Sequence, residues 1–120
     1  MSGTYAELPI EDIDAMLERL AAQEEPIRRE ALKIGAEALV SEAMVESPVL
    51  TGTLQASHTV FQADEDSAVI GVNTTYALPV HETHPTKSRW FISAVNRNFK
   101  RVMGGAIEVA LGRAAGRAKA

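Results

Sequence analysis

Leu54-Gln55-Ala56-Ser57-His58-Thr59-Val60-Phe61-Gln62, then the acidic run Asp64-Glu65-Asp66, then Ser67-Ala68-Val69-Ile70-Gly71-Val72: this stretch decides the fold class. Leu54, Ala56, His58 and Val60 alternate along the first segment, and Ala68, Ile70 and Val72 along the second. A period of two belongs to a strand with one buried face. The spacing predicts two strands joined by a polar turn whose acids form a solvated tip. Asn73-Thr74 predicts another turn. Tyr76, Leu78 and Val80 alternate again and predict a third strand, with Pro79 at an edge or bulge because it has no N–H for a ladder.

Upstream the period changes. Ile10, Ile13, Leu17 and Leu20 recur at three and four, which predicts a helix over 10–24. Pro26 suits a helix's first position. From it Ile27, Ala31, Ile34, Ala38 and Leu39 form an apolar stripe that runs on to Met44 and Val45. Ala is frequent there, so another element is expected to pack closely. Ser47-Pro48 ends this helix, since a residue before proline avoids the helical conformation. Downstream, His81 to Ser88 reads as a polar loop. Trp90, Phe91, Ala94, Val95, Phe99 and Val102 open an amphipathic helix that Gly104-Gly105 weakens and Ala106, Ile107, Ala110 and Leu111 resume. The order predicts an α+β fold: N-terminal helices, a three-stranded antiparallel β-meander, and a C-terminal helix packed on the sheet. Residues 1–112 form the expected single domain, and 113–120 a basic flexible tail.

The chain's 120 residues suffice for one domain, and 46% hydrophobic residues can supply its core. The absence of cysteine excludes disulfide scaffolds and thiol chemistry. No apolar run is long enough to span a membrane. Met1-Ser2-Gly3-Thr4 lacks the basic and apolar regions of a secretory signal, so none is expected. The net charge of −4 conceals an asymmetry. Residues 1–82 carry fifteen acids and four bases, whereas 83–120 carry eight bases and only Glu108. Such a dipolar chain points to an acidic partner for its C-terminal end, either nucleic acid or the acidic part of a neighbouring copy.

Chemical motifs are sparse. His81-Glu82-Thr83-His84 spaces its histidines three apart, not four as the helical zinc-protease pattern requires. A zinc site there would need His58 or the Asp64–Asp66 loop as well. Ser57, His58 and Asp66 do not form a triad, because adjacent strand residues point to opposite faces. Thr51-Gly52-Thr53 lacks the frame of a phosphate loop and reads as a connection in which Gly52 takes a conformation other residues avoid. Trp90-Phe91 reads as an anchor of the last helix rather than a base-stacking platform. Arg97, Lys100, Arg101, Arg113, Arg117 and Lys119 fit two readings: a phosphate-tracking surface or an ordinary solvated face.

Three stretches together resemble the small tail-completion, or head–tail joining, proteins of long-tailed bacteriophages. Ser47-Pro48-Val49-Leu50-Thr51-Gly52-Thr53-Leu54-Gln55-Ala56-Ser57 is similar to that family's Pro-x-x-Thr-Gly-x-Leu-x-x-Ser. Val72 to Glu82, with Tyr76-Ala77, Val80, His81 and Glu82, is similar to its Tyr-Ala-x-x-Val-His/Glu-Glu. Trp90-Phe91-Ile92-Ser93-Ala94-Val95 is similar to the start of its last helix. The likeness covers roughly residues 10–112. It departs at Leu50, where an acid is common, at Thr53, where a base is common, and after Glu82, where the loop is short. The resemblance implies a virion structural protein at the neck, present in the host cytoplasm during assembly, with no catalytic residues; the motifs themselves give no expectation of a cofactor or metal. It implies a homo-oligomeric, six-copy ring beside head-completion and tail-terminator proteins, with non-specific DNA contact in the channel and no membrane partner. A small DNA-binding protein, or a tail-terminator or head-stopper subunit of an adjacent ring, are the alternatives.

Overall fold

The computed structural model describes residues 4–7, 14–48, 52–74 and 77–119. It is α+β. The elements are β1 (Thr4–Glu7), α1 (Asp14–Ala21), α2 (Glu25–Glu46), α3 (Thr53–Ala56), β2 (His58–Ala63), β3 (Ala68–Val72), α4 (Ala77–Thr83) and α5 (Trp90–Lys119). The expected helix over 10–24 is observed as α1; Ile10 and Ile13 lie outside the described residues.

β2 and β3 form the predicted antiparallel hairpin, and β1 pairs with the other side of β3, giving the order β1-β3-β2. Ala68, Ile70 and Val72 are buried along one face of β3, as their alternation predicts. The turn is tied by the Asp64 carboxylate, which accepts from the backbone N–H of Asp66 at 2.8 Å and of Ser67 at 2.9 Å. These bonds lower the Asp64 pKa. Between Val60 and Gln62 the register shifts, so Phe61 is the extra residue of a bulge.

The meander's third strand is not found: Ala77–Thr83 is helical. Buried Ala77 and His81, with Val80 packed on the core, follow helical spacing, which overrides the alternation of Tyr76, Leu78 and Val80. Pro79 fits because first-turn N–H groups have no helical acceptor. The expected strand over 54–62 likewise begins later. Leu54 and Ala56 lie in the turn α3, entered through Gly52 at φ 84°. A side chain there would be strained by the left-handed backbone alone.

α2 is the hub of the core. It spans Glu25–Glu46 with Pro26 in its first turn and ends at extended Ser47. Both the sheet and α5 pack on it, so its buried residues cover two faces: Ala31, Leu32, Gly35, Ala36, Leu39, Val40 and Ala43. The single stripe expected through Ile34 and Ala38 is therefore too narrow. α5 packs chiefly along α2 and not on the sheet; its contact with β2 is made by its first residues, Trp90 and Phe91, on His58.

Residues 113–119, expected as a flexible tail, continue α5, and Arg113 and Arg117 bond to Glu30 of α2. Glycine does not break this helix. A Cβ at exposed Gly105 would meet nothing within 4 Å. Gly105→Ala should raise stability by about 0.5–1 kcal/mol through backbone entropy and propensity, read as a higher denaturation midpoint.

Candidate functional site

The described residues of the three stretches that carry the resemblance meet at one corner, where the end of α2, α3, α4 and the start of α5 come together. Leu54, Ala77, Phe91 and His81 are 0, 0, 0 and 1% exposed. Pro48 and Trp90 are also buried, and Val80 packs against the core. Thr51 and Tyr76 lie outside the described residues.

Hydrogen bonds close the corner. Met44 O, an orphan carbonyl at the end of α2, accepts from Gln55 Nε2 at 3.1 Å as well as from Ser47 N–H. Ser57 O accepts from Asn73 N–H at 2.9 Å, holding the end of β3 to the exit of α3.

His58 is the centre. Trp90 Nε1–H donates to its Nε2 at 3.1 Å. An indole N–H can only donate, so Nε2 holds the lone pair and Nδ1 carries the proton. Nδ1–H then points at Leu54 O (3.1 Å) and Gln55 O (3.0 Å), the same two carbonyls that accept the Ser57 N–H at the end of α3. Burial pushes the His58 pKa down, against a smaller upward pull from those two carbonyls.

His81 also meets the indole, edge-on, with ring centroids 5.1 Å apart. Its Nε2 accepts the Ile92 N–H at 3.4 Å, and its Nδ1–H donates to Glu82 Oε1 at 3.1 Å. The expected polar loop at His81 is thus a buried helical position. Burial lowers the His81 pKa, with Glu82 opposing and Arg89 assisting. Glu82 is held below the usual carboxylate range by the His81 hydrogen bond first, and also by Arg89, whose Nη1 lies 3.1 and 3.2 Å from its oxygens. Arg89 takes φ 57°, uncommon for a side chain of its size, and its N–H donates to His81 O.

This corner is a packing and capping arrangement. His84 is spent on its own turn, where Nδ1 accepts from Thr86 and Lys87 N–H. Ser57 Oγ donates to Thr53 O, and Asp66 faces Arg28 at 4.0 Å, so Ser57, His58 and Asp66 are not linked. Among the described residues no three His, Asp or Glu side chains gather so as to hold a metal ion.

The basic residues of α5 line a different surface. Arg97 pairs with Glu46, Arg101 with Glu42 at 3.0 Å, Arg113 with Glu30 at 2.9 Å, and Arg117 with Glu30 at 3.4 Å. Numbers fall along α2 as they rise along α5, so the ladder also records that the two helices are antiparallel. The Arg113 hydrogen bond is the first cause that holds the Glu30 pKa below its ordinary value. Lys100 is exposed, and among the described residues no acid pairs with it. The side chain of Lys119 is not described. A neighbour's acids were one expected partner for these bases; four of the six instead meet acids of their own chain. Those acids are about fifty to ninety residues away in sequence, which is why no local motif marks them.

No described helix is long and apolar enough to cross a membrane. Comparison with family models, curated proteins and solved structures finds no match to this chain.

Proposed function

We propose that this chain is a structural protein of a tailed-phage particle, acting as a ring subunit at the neck that completes the tail or joins it to the DNA-filled head. The observation that supports the reading is the convergence of Pro48, Leu54, Ala77, His81, Trp90 and Phe91 on one corner. Motifs spaced across the sequence are expected to share a place when they serve a common scaffold. In this reading Gly52 and Leu54 set the turn, His81 and Trp90 fix α5, and the exposed side of α5 faces a neighbour or the channel.

The ion-pair ladder refines that last element. Exposed pairs of this kind contribute about 0–1 kcal/mol each, so Arg97 and Arg101 can exchange Glu46 and Glu42 for an outside anion at small cost. A charge swap separates the two roles. Arg97→Glu with Glu46→Arg, together with Arg101→Glu and Glu42→Arg, keeps opposite charges facing within the chain but rearranges the outer field. Complementation of a phage lacking the chain should give normal levels of folded protein and a loss of plaque titre. A titre equal to wild type would remove the basic side of α5 from the assembly contact. The reading as a DNA-binding protein requires strong, salt-sensitive affinity of the isolated chain for duplex DNA.

A further inference from the structure

We propose that the corner of α3, α4 and α5 is an acid-released latch: protonation of His58 and His81 sets N–H against N–H at Trp90 and at Ile92 and frees the first turn of α5. The inference does not depend on the neck reading.

Its basis is the direction of the hydrogen bonds. Both histidines use Nε2 as an acceptor, His58 for Trp90 Nε1–H and His81 for Ile92 N–H. Neither donor can turn into an acceptor. A second proton on either ring therefore replaces a bond with a repulsive pair, inside a site from which water is excluded. His58 is 6% and His81 1% exposed, so the added charge is not hydrated in place. His58 is surrounded by uncharged groups: the Leu54 and Gln55 carbonyls and the rings of Trp90 and Phe91. His81 meets one carboxylate, Glu82, which is itself engaged by Arg89. Of the two, His58 is the weaker point.

The sign follows from burial. Both folded-state pKa values lie below the ordinary 6.5. Below that pH the unfolded or opened chain takes up protons before the closed corner does. The stabilisation is therefore complete above about 6.5 and is lost as pH falls through the lowered values. Glu82, lowered from 4.5, stays ionised across most of that window and does not confuse it.

Trp90 is the only tryptophan in the chain and is in ring contact with both histidines, so its emission reports the latch. Fluorescence and far-ultraviolet circular dichroism would be followed from about pH 8 to about pH 4.5. The proposal predicts an emission change with a midpoint below 6.5 that precedes loss of helix. That change should be diminished in His58→Gln, whose amide can accept from Trp90 without titrating. Imidazole ¹⁵N NMR of the unaltered protein supplies a readout that needs no variant. It should show both Nε2 atoms unprotonated at neutral pH and both rings titrating below 6.5. Titration of both rings at or above 6.5, or a fluorescence transition unchanged in His58→Gln, would overturn the proposal. So would loss of emission and helix in one step.

Discussion

Phe91→Ala should lower the stability of this protein by about 3–5 kcal/mol, a large fraction of the roughly 5–15 kcal/mol that holds a typical domain folded. Phe91 is fully buried at the second residue of α5, with its ring 5.9 Å from that of His58. It fills the space between the start of α5 and the strand β2, where α5 reaches the sheet. Truncation forfeits the transfer energy of the ring and leaves a void that the corner cannot close, since the His58 and Trp90 positions are fixed by hydrogen bonds. In urea the midpoint should fall with an unchanged slope. Val109→Ala is the control on the same helix. Val109 is 43% exposed, and its loss should move stability by no more than about 0.5 kcal/mol. Equal effects at the two positions would mean that the corner is not part of the core.

Gly35→Leu should cost up to about 3 kcal/mol by overpacking, whereas Gly35→Ala should be close to neutral. Gly35 of α2 lies directly against Met103 and Ala106 of α5. A Cβ there would overlap Met103 Sδ, approach Met103 Cε to 3.0 Å and stand 3.5 Å from Ala106 Cβ. For alanine the obstacle is the far end of a flexible side chain. Met103 can swing aside, and alanine's better helix propensity, about 1 kcal/mol over glycine, offsets the adjustment. Leucine has no such escape, because its branch must occupy the volume that Met103 and Ala106 already fill. Pairing Gly35→Leu with Met103→Ala should restore part of the loss, a coupling that a double-mutant cycle reads directly. Additive effects would place the helix crossing elsewhere.

Much of this architecture is legible in the residues. Pro26 and Ser47-Pro48 bracket α2, and alternation around an acidic turn marks the β2–β3 hairpin. Sequence and structure part where two periods fit the same residues. Leu54 and His58 are four apart, a spacing shared by a strand face and a helix turn, so α3 was hidden inside an apparent strand. Tyr76, Leu78 and Val80 alternate, yet burial follows Ala77, Val80 and His81, and Pro79 gives no warning because it sits in the first turn of α4. The brief strand β1 carries no periodic signal of its own. At the corner, Trp90 and Phe91 were readable as anchors. The link from Trp90 to His58 spans 32 positions and exists only once the chain is folded. The α2–α5 ion pairs are tertiary for the same reason, which is why the basic residues read as an unpaired field.

The neck assignment is the central claim, and the most direct measurement is electron microscopy of a lysate from the encoding phage or prophage with this chain deleted. Filled heads lying beside separate, finished tails are the predicted result, with joining restored when the chain is supplied. Intact infectious particles would contradict the claim, and missing or empty heads would move the role to head assembly or closure.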